Sequence, residues 1–221
     1  MMNKSKRVVI FGDSWAQKNT TIYNFTWPEK LENKYEVHNF ARDGTSLDWS
    51  LQQLGHAVKD NLFGESTVMI FFLTDPWRQN WSFFEQNHQF LAKWLVEPPR
   101  FWLKDKELKE TISPYLRYKG FSRIFFRNVA PRYAMRETTK TIGMINLMAG
   151  MYEKILIVPN FEKIDLRRIK LHDNIDVWDP MIDILGKKLD YNDNQCNHLP
   201  EEHHKTFLLK LESWIDNDVQ V

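Results

Sequence analysis

The chain has 221 residues, 43% hydrophobic and 27% charged, a length that suits one domain with room for an insertion and can bury a core. Thirty Lys plus Arg against 29 Asp plus Glu leave a net charge of +1, which excludes a polyelectrolyte that coats nucleic acid by net charge; one Cys excludes a disulfide framework or a multi-cysteine zinc site. Nine Trp and 15 Phe are far from a disordered composition, whereas Gly, with 8, stands at roughly half its usual share of about 7%.

Met1 to Arg7 is short and basic, and the apolar run after it, Val8 to Phe11, ends at Gly12-Asp13. A signal peptide needs an apolar stretch of about 7–15 residues and a membrane span about 18 or more. The longest apolar run, Val68 to Leu73, is strand-sized. The expectation is a cytoplasmic protein, free or carried in an assembly, with no membrane span and Cys196 reduced.

Val8-Val9-Ile10-Phe11 reads as a buried strand feeding the turn Gly12-Asp13-Ser14. Tyr35 to Phe40 alternates and ends at Ala41-Arg42-Asp43-Gly44, a second strand with a glycine turn. Leu47, Leu51, Leu54, Val58 and Leu62 recur every three or four residues, predicting an amphipathic helix from Ser46 to Leu62 capped by Ser46 or Asp48. Thr67 to Leu73 is a third strand, closed by Thr74-Asp75-Pro76. Strands this apolar, in β–loop–β–α–β order, imply a parallel sheet covered by helices on both faces.

Phe83 to Val96 is helical by periodicity and Pro98-Pro99 ends it. Residues 76 to 154 hold stretches rich in Trp, Phe, Tyr and Arg without a clean period. Ile124 to Val129 and Thr141 to Leu147 are both candidate strands, and the pattern does not choose between them. Ile155 to Val158 and Ile175 to Trp178 read as later strands. Glu201 to Ile215 is a closing helix with Phe207, Leu208, Leu211 and Ile215 on one face. One domain over 1–221, with a helical, aromatic-rich lobe inserted at about 76–135, is the economical organisation.

Phe11-Gly12-Asp13-Ser14-Trp15 is the sharpest local signal. It puts a serine in the crevice beyond the strand ends, where open α/β sheets place their ligands. The bland alternative is an ordinary Gly-Asp-Ser turn. Two further segments favour chemistry: the Gly44 turn at the same sheet edge, and His198 in Asn197-His198-Leu199-Pro200, just before the closing helix. A serine, a histidine to take its proton and backbone N–H groups for an oxyanion make a workable acyl-transfer set. Gly12 and Gly44 stand at turns where backbone N–H groups approach the reacting atom.

In this order and spacing the blocks resemble the SGNH/GDSL hydrolase superfamily. Gly12-Asp13-Ser14 matches its first block, Gly44 its second, and His198-Leu199-Pro200-Glu201-Glu202-His203-His204 the continuation of its last. The resemblance implies a flavodoxin-like three-layer α/β/α fold with a mainly parallel sheet. It further implies Ser14 as nucleophile, His198 as base, the Ser14 and Gly44 N–H groups as oxyanion donors, and no cofactor. Two blocks depart from the pattern. Where the family has Gly-x-Asn-Asp, this chain has Leu73-Thr74-Asp75-Pro76. Asp75 thus stands in place of the donor asparagine, to be protonated or turned toward Arg78, and Thr74 is left as a substitute hydroxyl. Losing such a donor costs about 10²–10³ in rate. Three residues before His198 stands Gln195 instead of aspartate; Asp193, Asp190 and Gln195 are the candidate orienting groups, with Asp193 preferred.

Trp15 and Trp77 follow two strand ends and are candidates for the pocket mouth, where they would stack on an apolar or sugar face; the alternative is that such tryptophans fill the core. Arg123, Arg127, Arg132 and Arg136, among Phe125, Phe126 and Tyr133, are read as a solvated face rather than a nucleic-acid surface. His38, His56, His88 and His172 lack metal-ligand spacing, so no metal is expected. His203 reads as solvent-facing, His204 as an anchor for the closing helix, and Cys196 as a loop residue near the site. The leading function is hydrolysis of a small carboxylic ester, on a small molecule or a glycan, with no nucleic-acid partner. The alternative is a catalytically impaired protein of the same fold that binds a ligand or serves an assembly. A nucleotide binder is disfavoured, since neither Gly-x-x-x-x-Gly-Lys nor Gly-x-Gly-x-x-Gly occurs.

Overall fold

A computed structural model of the chain describes residues 6–18, 26–42, 45–74, 78–79, 90–91, 130–159, 164, 166–167, 169–184 and 201–217. Among these, five strands form one parallel sheet: β1 (Arg7–Phe11), β2 (Glu36–Asn39), β3 (Gly64–Leu73), β6 (Tyr152–Pro159) and β7 (Ile175–Val177). Their order is β2-β1-β3-β6-β7, the 2-1-3-4-5 arrangement of flavodoxin-like doubly wound sheets. The register sets Val8 beside Val37 and Val68, and Ile70 beside Leu156. A separate antiparallel pair joins β4 (Arg78–Gln79) to β5 (Phe90–Leu91).

Alternate residues of the central strands enter opposite layers, as the two-residue period of a strand requires. Val8, Ile10, Ile70, Phe72, Leu156 and Val158 meet one layer. There they pack with helix α1 (Trp27–Leu31) and the closing helix α5 (Glu201–Asp216), which contributes Phe207, Leu211 and Ile215. Val9, Phe11, Met69, Phe71, Ile155 and Ile157 face the other, with Leu47, Leu54 and Ala57 of α2 (Leu47–Lys59) and Ile142 and Ile145 of α3 (Ala130–Leu147). The result is a three-layer α/β/α fold. A short α4 (Met181–Ile184) follows β7.

The strands stand where the apolar runs put them, and α2 is capped by Ser46, whose Oγ accepts from Trp49 N–H at 3.4 Å. Three elements differ from expectation. Thr141 to Leu147 is no strand but the end of α3: Ile142 and Ile145 are wholly buried, while Met144 and Leu147 are 44% and 82% exposed. A short apolar run does not by itself distinguish helix from strand, and here the one-sided burial is helical. Within the stretch expected as the helix Phe83 to Val96, Phe90–Leu91 is extended and paired to β4; bulky Phe suits a pleated surface. The remainder of that stretch, Ile124 to Val129 and most of the lobe at about 76–135 lie outside the described residues. Helix α1 falls in what read as a loop; its Trp27 and Leu31 are fully buried. Among the described residues no helix is long and apolar enough to cross a membrane.

Candidate active site

Strand order reverses between β1 and β3, since β2 lies on one side of β1 and β3 on the other. Ligands of doubly wound sheets bind outside the carboxyl ends of the strands at such a point. Here those ends carry Gly12-Asp13-Ser14 and Thr74. Gly12 leaves β1 at φ +148°, and a Cβ on it would stand 2.6 Å from Phe72 Cβ, so only glycine lets the turn pass this close to β3.

The turn that follows is held through Asp13, which is wholly buried. Its Oδ1 accepts from Trp15 N–H at 3.1 Å and its Oδ2 from Thr74 Oγ1 at 2.7 Å. Its carbonyl accepts from Ala16 N–H at 3.0 Å. Two of the turn's amides are therefore engaged inward. Ser14, between Asp13 and Trp15, is 6% exposed, and among the described residues no group takes its N–H or its Oγ.

The loop after β2 is tied to the same turn. Arg42 N–H donates to Gly12 C=O at 3.2 Å, and Thr45 Oγ1 lies 3.1 Å from that carbonyl and 2.7 Å from Arg42 C=O. Asn39 Nδ2 donates to Ala16 C=O and its Oδ1 accepts from Ala41 N–H, both at 2.8 Å. The Arg42 guanidinium stands 5.5 Å from the Trp49 ring centroid. The residues flanking Asp43-Gly44 are thus fixed beside the serine turn, while Gly44 itself lies outside the described residues.

Thr74 departs from its expected part. Its hydroxyl carries one proton, and that proton is directed at Asp13 rather than left for an oxyanion. Trp15 is 3% exposed in the core layer with Trp27 and Phe72, and its carbonyl accepts from Trp27 Nε1 at 2.9 Å; its place is the core and not the pocket mouth. Arg78 belongs to β4. Asp75, Trp77, Asp190, Asp193, Gln195, Cys196 and His198 lie outside the described residues, as do Arg123, Phe125, Phe126 and Arg127.

Helix α5, which follows His198 in the chain, is fixed at both ends. Near its start His204, 2% exposed, accepts from Trp27 N–H through Nδ1 at 3.4 Å; it anchors the helix, as expected. His203 is only partly exposed, and its Nδ1 is buried with no partner among the described residues, so it is not simply solvent-facing. Near the other end Lys154 Nζ donates to the carbonyls of Trp214, at 3.3 Å, and Asn217. Asp216 accepts from Lys34 and, at 2.8 Å, from Tyr35 Oη. Burial acts to raise the Asp216 carboxyl, but the hydrogen bonds from Lys34 and Tyr35 hold it below its ordinary value. Burial, then the Asp216 hydrogen bond, push Tyr35 up to about 12.

Asn39, Thr45 and the structural part played by Asp13 were missed by sequence reasoning. Asp13 sits inside the Gly-Asp-Ser signal, but its partner Thr74 becomes visible only once β1 and β3 are paired. Among the described residues no group of three His, Cys, Asp or Glu could hold a metal ion.

Fold and site together describe a doubly wound α/β protein with a serine turn at its switch point. No family model matches the chain, and no curated protein matches it. Among solved structures it is similar to the psychrotrophic esterase EstA from Pseudoalteromonas sp., with 13% identity, a TM-score of 0.39, and coverage of 96% of this chain and 100% of that one.

Proposed function

We propose that the protein hydrolyses a small carboxylic ester, of the esterase or O-deacetylase type, through Ser14. The observation that carries this reading is the serine turn at the β1/β3 switch point, in which the amides of Trp15 and Ala16 are engaged by Asp13 and that of Ser14 has no acceptor among the described residues. Ser14 Oγ attacks the acyl carbon and its proton passes to His198. The Ser14 and Gly44 N–H groups receive the oxyanion. Collapse breaks the ester C–O bond, and the alcohol leaves with the proton from His198. Water, deprotonated by His198, then releases the acid from Ser14. Asp193 serves as the acid that orients the histidine, and Asp75, Arg78 and Trp77 stand as the candidate oxyanion-side and substrate-side residues.

The test is covalent labelling with a fluorophosphonate probe, followed by peptide mapping. The expected result is a single adduct on Ser14, lost in Ser14→Ala and slowed at least about 10³-fold in His198→Ala. No adduct, together with p-nitrophenyl acetate turnover unchanged in Ser14→Ala, defeats the proposal. The alternative, a protein of this fold impaired in catalysis that binds a ligand or serves an assembly, is favoured by one observation: the Thr74 hydroxyl is directed at Asp13 and not at an oxyanion. Ligand or partner capture that survives both substitutions supports that second reading.

A further inference from the structure

The acyl-transfer steps make no use of the residue immediately before the nucleophile. Asp13 is 0% exposed and Thr74 is 1% exposed. Aspartate is almost never fully buried unless paired, and a carboxylate taken from water needs hydrogen bonds in return. Two of its donors come from different elements. Thr74 Oγ1 reaches Oδ2 across the β1–β3 switch at 2.7 Å, and Trp15 N–H reaches Oδ1 from beyond Ser14 at 3.1 Å. The carboxylate therefore bridges the end of β3 to the far side of the serine, and Ser14 lies inside that bracket.

We infer that Asp13 and Thr74 are positioning residues that set the Ser14 turn against the end of β3; the inference rests on the hydrolase reading. One carboxylate oxygen takes its bearing from β3 and the other passes that bearing to Trp15, so Ser14 Oγ and Ser14 N–H are oriented together. Neither positioning residue touches substrate. The arrangement also accounts for a carboxylate beside a developing oxyanion: two hydrogen-bond donors offset its charge and point it inward. A reacting group misplaced by about 1 Å can cost about 10²-fold in rate. Losing the Thr74 hydroxyl is expected to act on that scale, on kcat rather than on KM.

The experiment compares the full-length protein with Thr74→Val, which keeps the side-chain shape without the donor, and Thr74→Ser, which keeps the donor. Two quantities are read: the rate constant for fluorophosphonate labelling of Ser14, and kcat and KM for p-nitrophenyl acetate. Thr74→Val is expected to lower the labelling rate and kcat by about 10–10²-fold with KM within about twofold, and Thr74→Ser to restore both to within about threefold. Equal rates in the native protein and Thr74→Val, or no rescue by serine, overturn the positioning role while leaving the hydrolase reading standing. An unlabelled, inactive native protein overturns both. If Thr74→Val does not fold, Asp13→Asn decides: its amide still accepts from Trp15 N–H and can donate to the Thr74 hydroxyl. Retention of the labelling rate within about threefold supports positioning, and a fall of about 10²-fold shows that the charge, not the bracket, matters.

Discussion

At Gly12 a side chain would meet Phe72 Cβ at 2.6 Å and Ala16 Cβ at 3.3 Å, on a backbone already at φ +148°. The Gly-Asp-Ser signal suggests a glycine kept for amide approach to a reacting atom; the contact with β3 supplies a reason that holds whether or not the protein is an enzyme. Gly12→Ala combines overpacking, about 1–3 kcal/mol, with a left-handed backbone penalty of about 1–2 kcal/mol. A loss of about 2–5 kcal/mol is therefore expected. Urea denaturation should show it as a lower midpoint with an unchanged slope. A midpoint equal to the native one rules out the close approach of Gly12 to β3. Asp13 and Thr74 show why the partner of a legible residue stays hidden: 61 positions separate them, and only strand register joins them.

Helix α5 is held at its C-terminal end by side chains contributed by other elements. The last carbonyls of a helix have no partner within it and attract cations. Lys154, on β6 and 5% exposed, supplies one: its ammonium donates to Trp214 and Asn217 and stands 5.8 Å from the Trp214 ring. Hydrogen bonds from a charged group contribute about 1.5–3 kcal/mol, so Lys154→Met is expected to lower stability by about that amount, measured by chemical denaturation. Helix α5 itself was legible because Phe207, Leu211 and Ile215 fall on one face and are wholly buried. Helix α3 was not, because Thr141 to Leu147 is rich in apolar and β-branched side chains; its helical character lies in which of them are covered.

For the whole molecule, stability should have a defined alkaline limit. Burial raises the Tyr152 phenol to about 12, and burial with the Asp216 hydrogen bond does the same for Tyr35. The hydrogen bond to Asp216 also raises Lys34. Groups that hold their protons more tightly when folded contribute fully below their unfolded values, about 10 for tyrosine. That contribution is lost as pH climbs toward the folded values, so the urea midpoint should fall between pH 10 and about 12. Replacing Tyr152 with Phe should flatten that decline. The sheet was the most legible part of the chain because strands buried on both faces are apolar throughout. The serine edge was legible in outline, through Gly12, Ser14 and the loop that Arg42 and Thr45 fasten to it. The ties themselves are backbone and side-chain hydrogen bonds that no local pattern announces. One consequence belongs to synthesis. Strand β3 lies between β1 and β6, so when Leu73 leaves the ribosome one of its edges has no partner until Tyr152 to Pro159 follows, on the order of ten seconds later. Throughout that interval Thr-Val-Met-Ile-Phe-Phe-Leu is an open, charge-free template for a neighbouring chain, which makes translation speed and chaperone supply determinants of yield.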